Sequence, residues 1–285
     1  MFIKTTLISL MFVLSIFVAL PVHSQLTVYD DFKGPYLSQD LWYVYNQFDA
    51  FPSVDPGIIT LEGGLRIKSG KLNYYNRNIG ASGSDSGRLR ARRRLVMKDG
   101  TNITAMETSV QVKGLEITGC TANASPSRAE VRIGGAFFNN AGSCEDSGSV
   151  TGDVQAYIGL RKDSDDTELP AGYMRAIGTV LLCTNANCTS STQIGEEDLG
   201  LVKVGKKVKL LIRFEKDEDT FIFKLDKKGA EIPISYAGYS DTAAPCGNNG
   251  GLKRLEVTHL LATCKTGPET YGWIDAFYDY LSVNP

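Results

Sequence analysis

The residues best able to do chemistry in this sequence are arginines, and they recur at every second position. In GRLRARRRLV, residues 87–96, Arg88, Arg90, Arg92 and Arg94 share one face of an extended chain, Leu89, Ala91 and Leu95 take the other, and Arg93 is out of phase. Guanidinium groups grip carboxylates and sulfates through paired N–H···O contacts, so such a row suits a polyanion. A second stretch, SRAEVRIGG, alternates Arg128, Glu130 and Arg132 with Ala129, Val131 and Ile133. A third, VQAYIGLRK, puts Gln155, Tyr157 and Arg161 on one face, and Arg175 follows in YMRAIG. If these strands are neighbours, they build one basic, hydrogen-bonding surface for an acidic polysaccharide. The opposing reading has the same arginines facing solvent and paired across strands with Glu107, Glu130 and other acids, each pair contributing roughly 0–1 kcal/mol.

Other reactive groups are sparse. The formal net charge is −2, so the basic character is local and gives no argument for a nucleic-acid partner. His259 is the one histidine beyond residue 24, and a lone imidazole cannot build a multi-histidine zinc site. No nucleophile elbow accompanies it. The six cysteines are Cys120, Cys144, Cys183, Cys188, Cys246 and Cys264, an even number that favours disulfides in an exported chain. Neighbours in sequence suggest Cys120 with Cys144, Cys183 with Cys188 and Cys246 with Cys264, although six cysteines allow other pairings. Asn102, Asn123 and Asn187 head glycosylation sequons.

The elements that must position these groups are strands. The first residues, MFIKTTLISLMFVLSIFVALPVHS, carry Lys4 ahead of an apolar run from Leu7 to Leu20 and read as an export signal over 1–24. The run is shorter than the ~20 residues that span a bilayer, so no membrane association is expected after cleavage. The destination is extracellular or periplasmic. From residue 25 to 285 the pattern is short alternating runs broken by Gly, Asn, Asp and Ser, without helical period. Val208, Leu210, Ile212 and Phe214, then Phe221, Phe223 and Leu225, predict an antiparallel hairpin. About a dozen such strands without a linker or repeat predict one all-β domain, a two-sheet antiparallel sandwich pinned by disulfides.

YDDFKGPYLSQDLWYVYN near the start and WIDAFYDYLSVNP at the finish resemble the first and last strands of concanavalin A-like jelly rolls. That superfamily holds laminin G-like modules, legume-type lectins, family-16 glycoside hydrolases and several polysaccharide lyases, and the chain is similar to secreted bacterial members. The resemblance implies a curved sandwich with a glycan-binding concave face. The hydrolases' E-x-D-x-x-E strand, which supplies the acid and nucleophile of retaining hydrolysis, has no counterpart here. The R-x-E-x-R spacing of Arg128, Glu130 and Arg132 resembles the strand of alginate lyases that neutralises a uronate carboxylate. Those enzymes also carry Gln-Ile-His, where this chain has Gln155-Ala156-Tyr157, leaving a tyrosine as the one group for proton transfer. Asp31 and Asp279, in the terminal strands, are where the resemblance implies a structural calcium. Trp42 and Trp273 suit either a core or a sugar-stacking role. The reading that follows is a secreted, non-catalytic protein binding polysaccharide or cell-surface glycan at Arg88, Arg90, Arg92, Arg128, Glu130, Arg132, Gln155, Tyr157 and Arg161. The alternatives are a polysaccharide lyase or glycoside hydrolase, and a structural component of the cell envelope or matrix.

Overall fold

A computed structural model describes residues 25–51, 58–81, 84–100, 102–139, 150–186, 188, 190–242 and 253–284; the leader, Cys144, Cys246 and Asn187 lie outside them. In chain order the strands are β1 (Thr27–Asp30), β2 (Trp42–Phe51), β3 (Ile58–Ile67), β4 (Leu72–Ala81), β5 (Arg88–Met97), β6 (Ala105–Ile117), β7 (Arg128–Gly135) and β8 (Val154–Asp163). There follow β9 (Tyr173–Cys183), β10 (Ser191–Lys203), β11 (Lys207–Glu215), β12 (Thr220–Leu225), β13 (Glu231–Ser235), β14 (Arg254–Ala262) and β15 (Thr270–Val283). One sheet runs β13-β12-β11-β6-β15-β4-β3, with β1 beside β15; the other runs β10-β9-β8-β7-β14-β5-β2. Every pairing is antiparallel. The protein is an all-β, two-sheet sandwich whose first and last strands pair, as expected. No described helix is long and apolar enough to cross a membrane.

Period-two alternation explains the layering. Leu210, Ile212 and Phe214 of β11 and Phe221 and Phe223 of β12 face Val131 and Ile133 of β7, Ala156, Ile158 and Leu160 of β8, and Leu255 and Val257 of β14 across one buried core. The hairpin over 207–225 forms as predicted, closing through a short 3₁₀ turn at Lys216–Glu218 and a left-handed Asp219. Trp42 joins this core, and its Nε1 donates to Asp30 at 2.7 Å.

The disulfides correct the neighbour pairing. Cys183–Cys188 forms as expected, but Cys120 bonds Cys264, across 144 residues. The pairing follows the fold: the end of β6 and the end of β14 meet there, with Cα atoms 5.5 Å apart. Closing so long a loop restricts the unfolded chain far more than the short Cys183–Cys188 loop does. The double substitution Cys120→Ala/Cys264→Ala is expected to lower unfolding free energy by about 2–4 kcal/mol, measured by chemical denaturation; an unchanged midpoint would contradict this. Of the sequons, Asn123 spends its amide on the Gly87 and Thr263 carbonyls, a geometry incompatible with a glycan, whereas Asn102 is exposed.

Candidate functional site

The second sheet turns Leu89, Ala91 and Leu95 of β5, Val131 of β7 and Val257 of β14 toward the core, so the intervening residues point away from it. On that outward face the register lines residues up across strands. Arg94, Glu256, Arg132 and Gly159 form one row, and Arg92, Thr258, Glu130 and Arg161 the next. Arg90, Leu260, Arg128 and Asp163 flank them on one side, and Val96, Arg254, Gly134 and Tyr157 on the other. These side chains point outward, yet Arg92, Glu130, Gln155, Tyr157, Arg254 and Thr258 are buried and Glu256 is 0% exposed. The face is therefore a hollow. Its space is about 240 Å³, and Arg90, Arg92, Arg94, Arg128, Arg132 and Arg254 line it together with Glu130, Gln155 and Tyr157.

Glu256 organises the floor. Its Oε1 accepts from Arg132 Nη2 at 2.7 Å and Thr258 Oγ1 at 2.6 Å, and its Oε2 from Arg254 Nε at 2.7 Å and Arg94 Nε at 3.1 Å. Burial alone would raise its pKa, but Arg132, Arg254, Arg94 and Arg92 together hold it well below the usual carboxylate range. Glu130 lies 3.2 Å from Arg132 Nη1. The Tyr157 hydroxyl accepts from Arg254 Nη2 and donates to Gln155 Oε1, while its ring lies 4.2 Å from the Arg132 guanidinium and 5.1 Å from that of Arg254. Gly159, opposite Arg132, makes this possible: a Cβ there would come within 2.7 Å of the Arg132 Cβ.

Positive charge is in excess. Six guanidinium groups line the hollow and, among the described residues, meet three carboxylates: Glu256, Glu130 and, at its edge, Asp163, 2.7 Å from Arg128 Nε. Burial, with repulsion from neighbouring arginines, pulls Arg92 and Arg94 down to about 10 despite Glu256. Arg132 goes the other way: burial opposes its charge, but Glu256 and Glu130 raise its pKa. Its Nε is buried and has no hydrogen-bond partner among the described residues.

The structure thus joins most of the expected site and leaves part of it outside. Arg90, Arg92, Arg128, Glu130, Arg132, Gln155 and Tyr157 converge; Arg94, named in the row but not among the expected ligands, joins them. Arg88 lies at the strand end opposite Ala262, away from the lining. Arg161 is held by Asp163 at 3.0 Å and Glu196 at 2.8 Å, and Arg175 by Asp166 and Asp198, so these two are salt-bridged at the margin. Arg93 faces inward, 8% exposed. Of the paired reading, Glu107 fails, because it belongs to the other sheet and meets Lys209 and Tyr280, but pairing is present: Arg132 meets Glu130 of its own strand, and Arg128 meets Asp163 across strands at 2.7 Å. Arg254, Glu256 and Thr258 were not foreseen, although RLEVTHLLA alternates them on one face much as SRAEVR does.

The calcium expectation does not fit. Asp31 pairs with Lys33 at 3.0 Å, and Asp279 receives both Lys71 and Lys207, two ammonium groups where a divalent cation would need bare carboxylate. Asp85, Cys120 and Cys264 cluster, but the two sulfurs are bonded to each other. His259 is fully buried on the inward face, and burial pushes its pKa down to about 3. Trp273 lies on the other sheet, its indole over Gly114 and its Nε1 3.2 Å from Glu116.

No protein-family model matches the chain, and no curated protein matches it. Solved structures similar to it include a glycosyl hydrolase family protein from Mycobacterium fortuitum, at 11% identity and a TM-score of 0.45, with 89% of this chain and 97% of that one covered. A beta-1,3-glucanase from Mycobacterium marinum gives 11%, 0.43, 89% and 96%. A legume lectin-like domain from Entamoeba histolytica gives 10%, 0.30, 77% and 88%. Likeness of this extent carries no argument about what this chain binds or does.

Proposed function

We propose that the hollow of the second sheet binds an acidic polysaccharide or cell-surface glycan without turning it over, in an exported protein. One observation carries the reading: six arginines from β5, β7 and β14 meet in one concavity, with Glu256, Glu130 and Asp163 as the carboxylates that the described residues bring to them. An incoming carboxylate or sulfate relieves that repulsion and accepts charge-assisted hydrogen bonds. The Cys120–Cys264 bond fits an oxidising compartment.

Binding without turnover is supported by how firmly the acids are engaged. Glu256 is locked among three arginines and Thr258 and held ionised, so it has no proton to give as a general acid. A lyase reading draws on Tyr157, whose hydroxyl meets Arg254 beside Arg132, an arrangement that would serve proton abstraction next to a neutralised uronate.

Immobilised polygalacturonate, alginate and chondroitin sulfate, with a neutral glucan as control, separate the readings. The acidic polymers are expected to retain the protein at low salt and release it as salt rises, because exposed charges are screened. Arg132→Met is expected to reduce retention. Absence of retention on any acidic polymer overturns the proposal, and unsaturated chain ends that vanish in Tyr157→Phe establish the lyase reading instead.

A further inference from the structure

Beside the arginine hollow, on β2, stand two tyrosines that the proposed site does not use. Tyr45 pairs in register with Arg94, and Tyr43 with Val96, so both tyrosines share the outward face of the second sheet. They are 42% and 50% exposed for Tyr43 and Tyr45, among the more open large hydrophobic side chains of the molecule. Their ring centroids are 6.2 Å apart, and Lys98 Nζ lies 4.8 Å from the Tyr43 ring.

Tyr157, the aromatic group inside the hollow, is not available for stacking. Its ring is covered by Arg132 and Arg254 and it is 3% exposed. A sugar ring held by the arginines through its acidic group therefore has no open aromatic face beneath it. The next residues of a polymer do, if the chain leaves the hollow past Arg94 toward β2. There it meets two amphipathic rings, each able to pack against the C–H face of a pyranose while its hydroxyl stays wet, with the Lys98 ammonium beside them.

We infer that Tyr43 and Tyr45 form a stacking subsite continuous with the arginine hollow, so that the site takes an extended anionic polysaccharide chain and not a single acidic sugar. This rests on the acidic-glycan reading above. Charge complementarity and continuity along β5 and β2 select that occupant: guanidinium groups in the hollow, then tyrosine faces and an ammonium at its edge.

The test measures affinity of the intact mature protein for digalacturonate and hexagalacturonate, and for the alginate oligomers of the same lengths. Tyr43→Ala/Tyr45→Ala is expected to weaken hexamer binding about tenfold or more, the loss of two stacking contacts, while dimer affinity stays within about twofold. Tyr43→Phe/Tyr45→Phe, which keeps the rings, is expected to restore hexamer affinity. An unchanged hexamer affinity in the alanine variant overturns the inference and leaves the arginine site standing. Equal losses for dimer and hexamer also overturn it, because the tyrosines would then be supporting the hollow itself. A wild-type protein that binds neither oligomer overturns this inference, and if no acidic polymer retains it the acidic-glycan reading falls as well.

Discussion

Glu256→Gln is expected to destabilise the folded protein by about 3–5 kcal/mol, the usual consequence of removing one partner from a buried charge cluster. Glutamine keeps the volume but turns one acceptor oxygen into a donor that faces N–H or O–H groups, so the charge and two of the accepted hydrogen bonds go together. Without the carboxylate, Arg94, Arg132 and Arg254 are left beside Arg92, with Glu130 and, next to Arg128, Asp163 as the remaining described acids. For a chain of this size the melting temperature should fall by roughly 10 °C. Polygalacturonate should recover more stability in the variant than in the wild type, since a ligand that binds only the folded state stabilises it by mass action. A variant that melts with the wild type would mean that Glu256 is not the counter-ion on which the arginines depend.

The second large effect concerns Lys253, 0% exposed, whose Nζ donates to the Gly100 carbonyl at 3.0 Å and the Phe137 carbonyl at 3.1 Å. Burial lowers its pKa to about 7, opposed in part by Asp153. In the unfolded chain a lysine titrates near 10.4. Between about pH 7 and pH 10 the unfolded state therefore binds the extra proton, and the lysine's contribution to stability rises with pH over that window. Asp153 and Asp241 are shifted upward by burial, Asp241 to about 7, and act with the opposite sign: their contribution is lost as pH rises through the folded values. Asp241 is common to wild type and Lys253→Met, whereas Asp153 is coupled to the lysine, so the difference reports Lys253 together with its effect on Asp153. Wild type is expected to gain on the variant by up to roughly 4 kcal/mol from pH 7 to 10, read from urea midpoints across pH. A constant difference would show that Lys253 is charged in the folded state.

The local features of this fold were legible because they depend on period-two alternation. The β11–β12 hairpin and the arginine row of β5 follow from that pattern alone. Strands β2, β4, β10 and β13 did not stand out. β10 is an edge strand of mostly exposed residues such as Glu197 and Asp198, and β13 is five residues long with Pro233 inside it. The glycine pair Gly63-Gly64 punctuates IITLEGGLRI as a turn would, yet the stretch forms the single β3. The site was half visible. Each basic row could be seen in the chain, but β5, β14 and β7 become adjacent through pairings that span more than 100 residues, such as Arg94 with Glu256. A single acid in an alternating strand looks like any solvent-facing residue, so the sequence does not single out Glu256, whose role comes from the three arginines that the fold brings to it.

The claim on which the function depends is that these arginines receive an anion directly. The most direct measurement follows the arginine Nε–H resonances of the folded protein during titration with hexagalacturonate at low salt. Shifts should be largest for Arg90, Arg92, Arg94, Arg128, Arg132 and Arg254, with Arg175 and Arg213, which lie outside the lining of the hollow, left in place. Saturation of the oligomer without movement of the six, or with movement confined to Arg175 and Arg213, would contradict it.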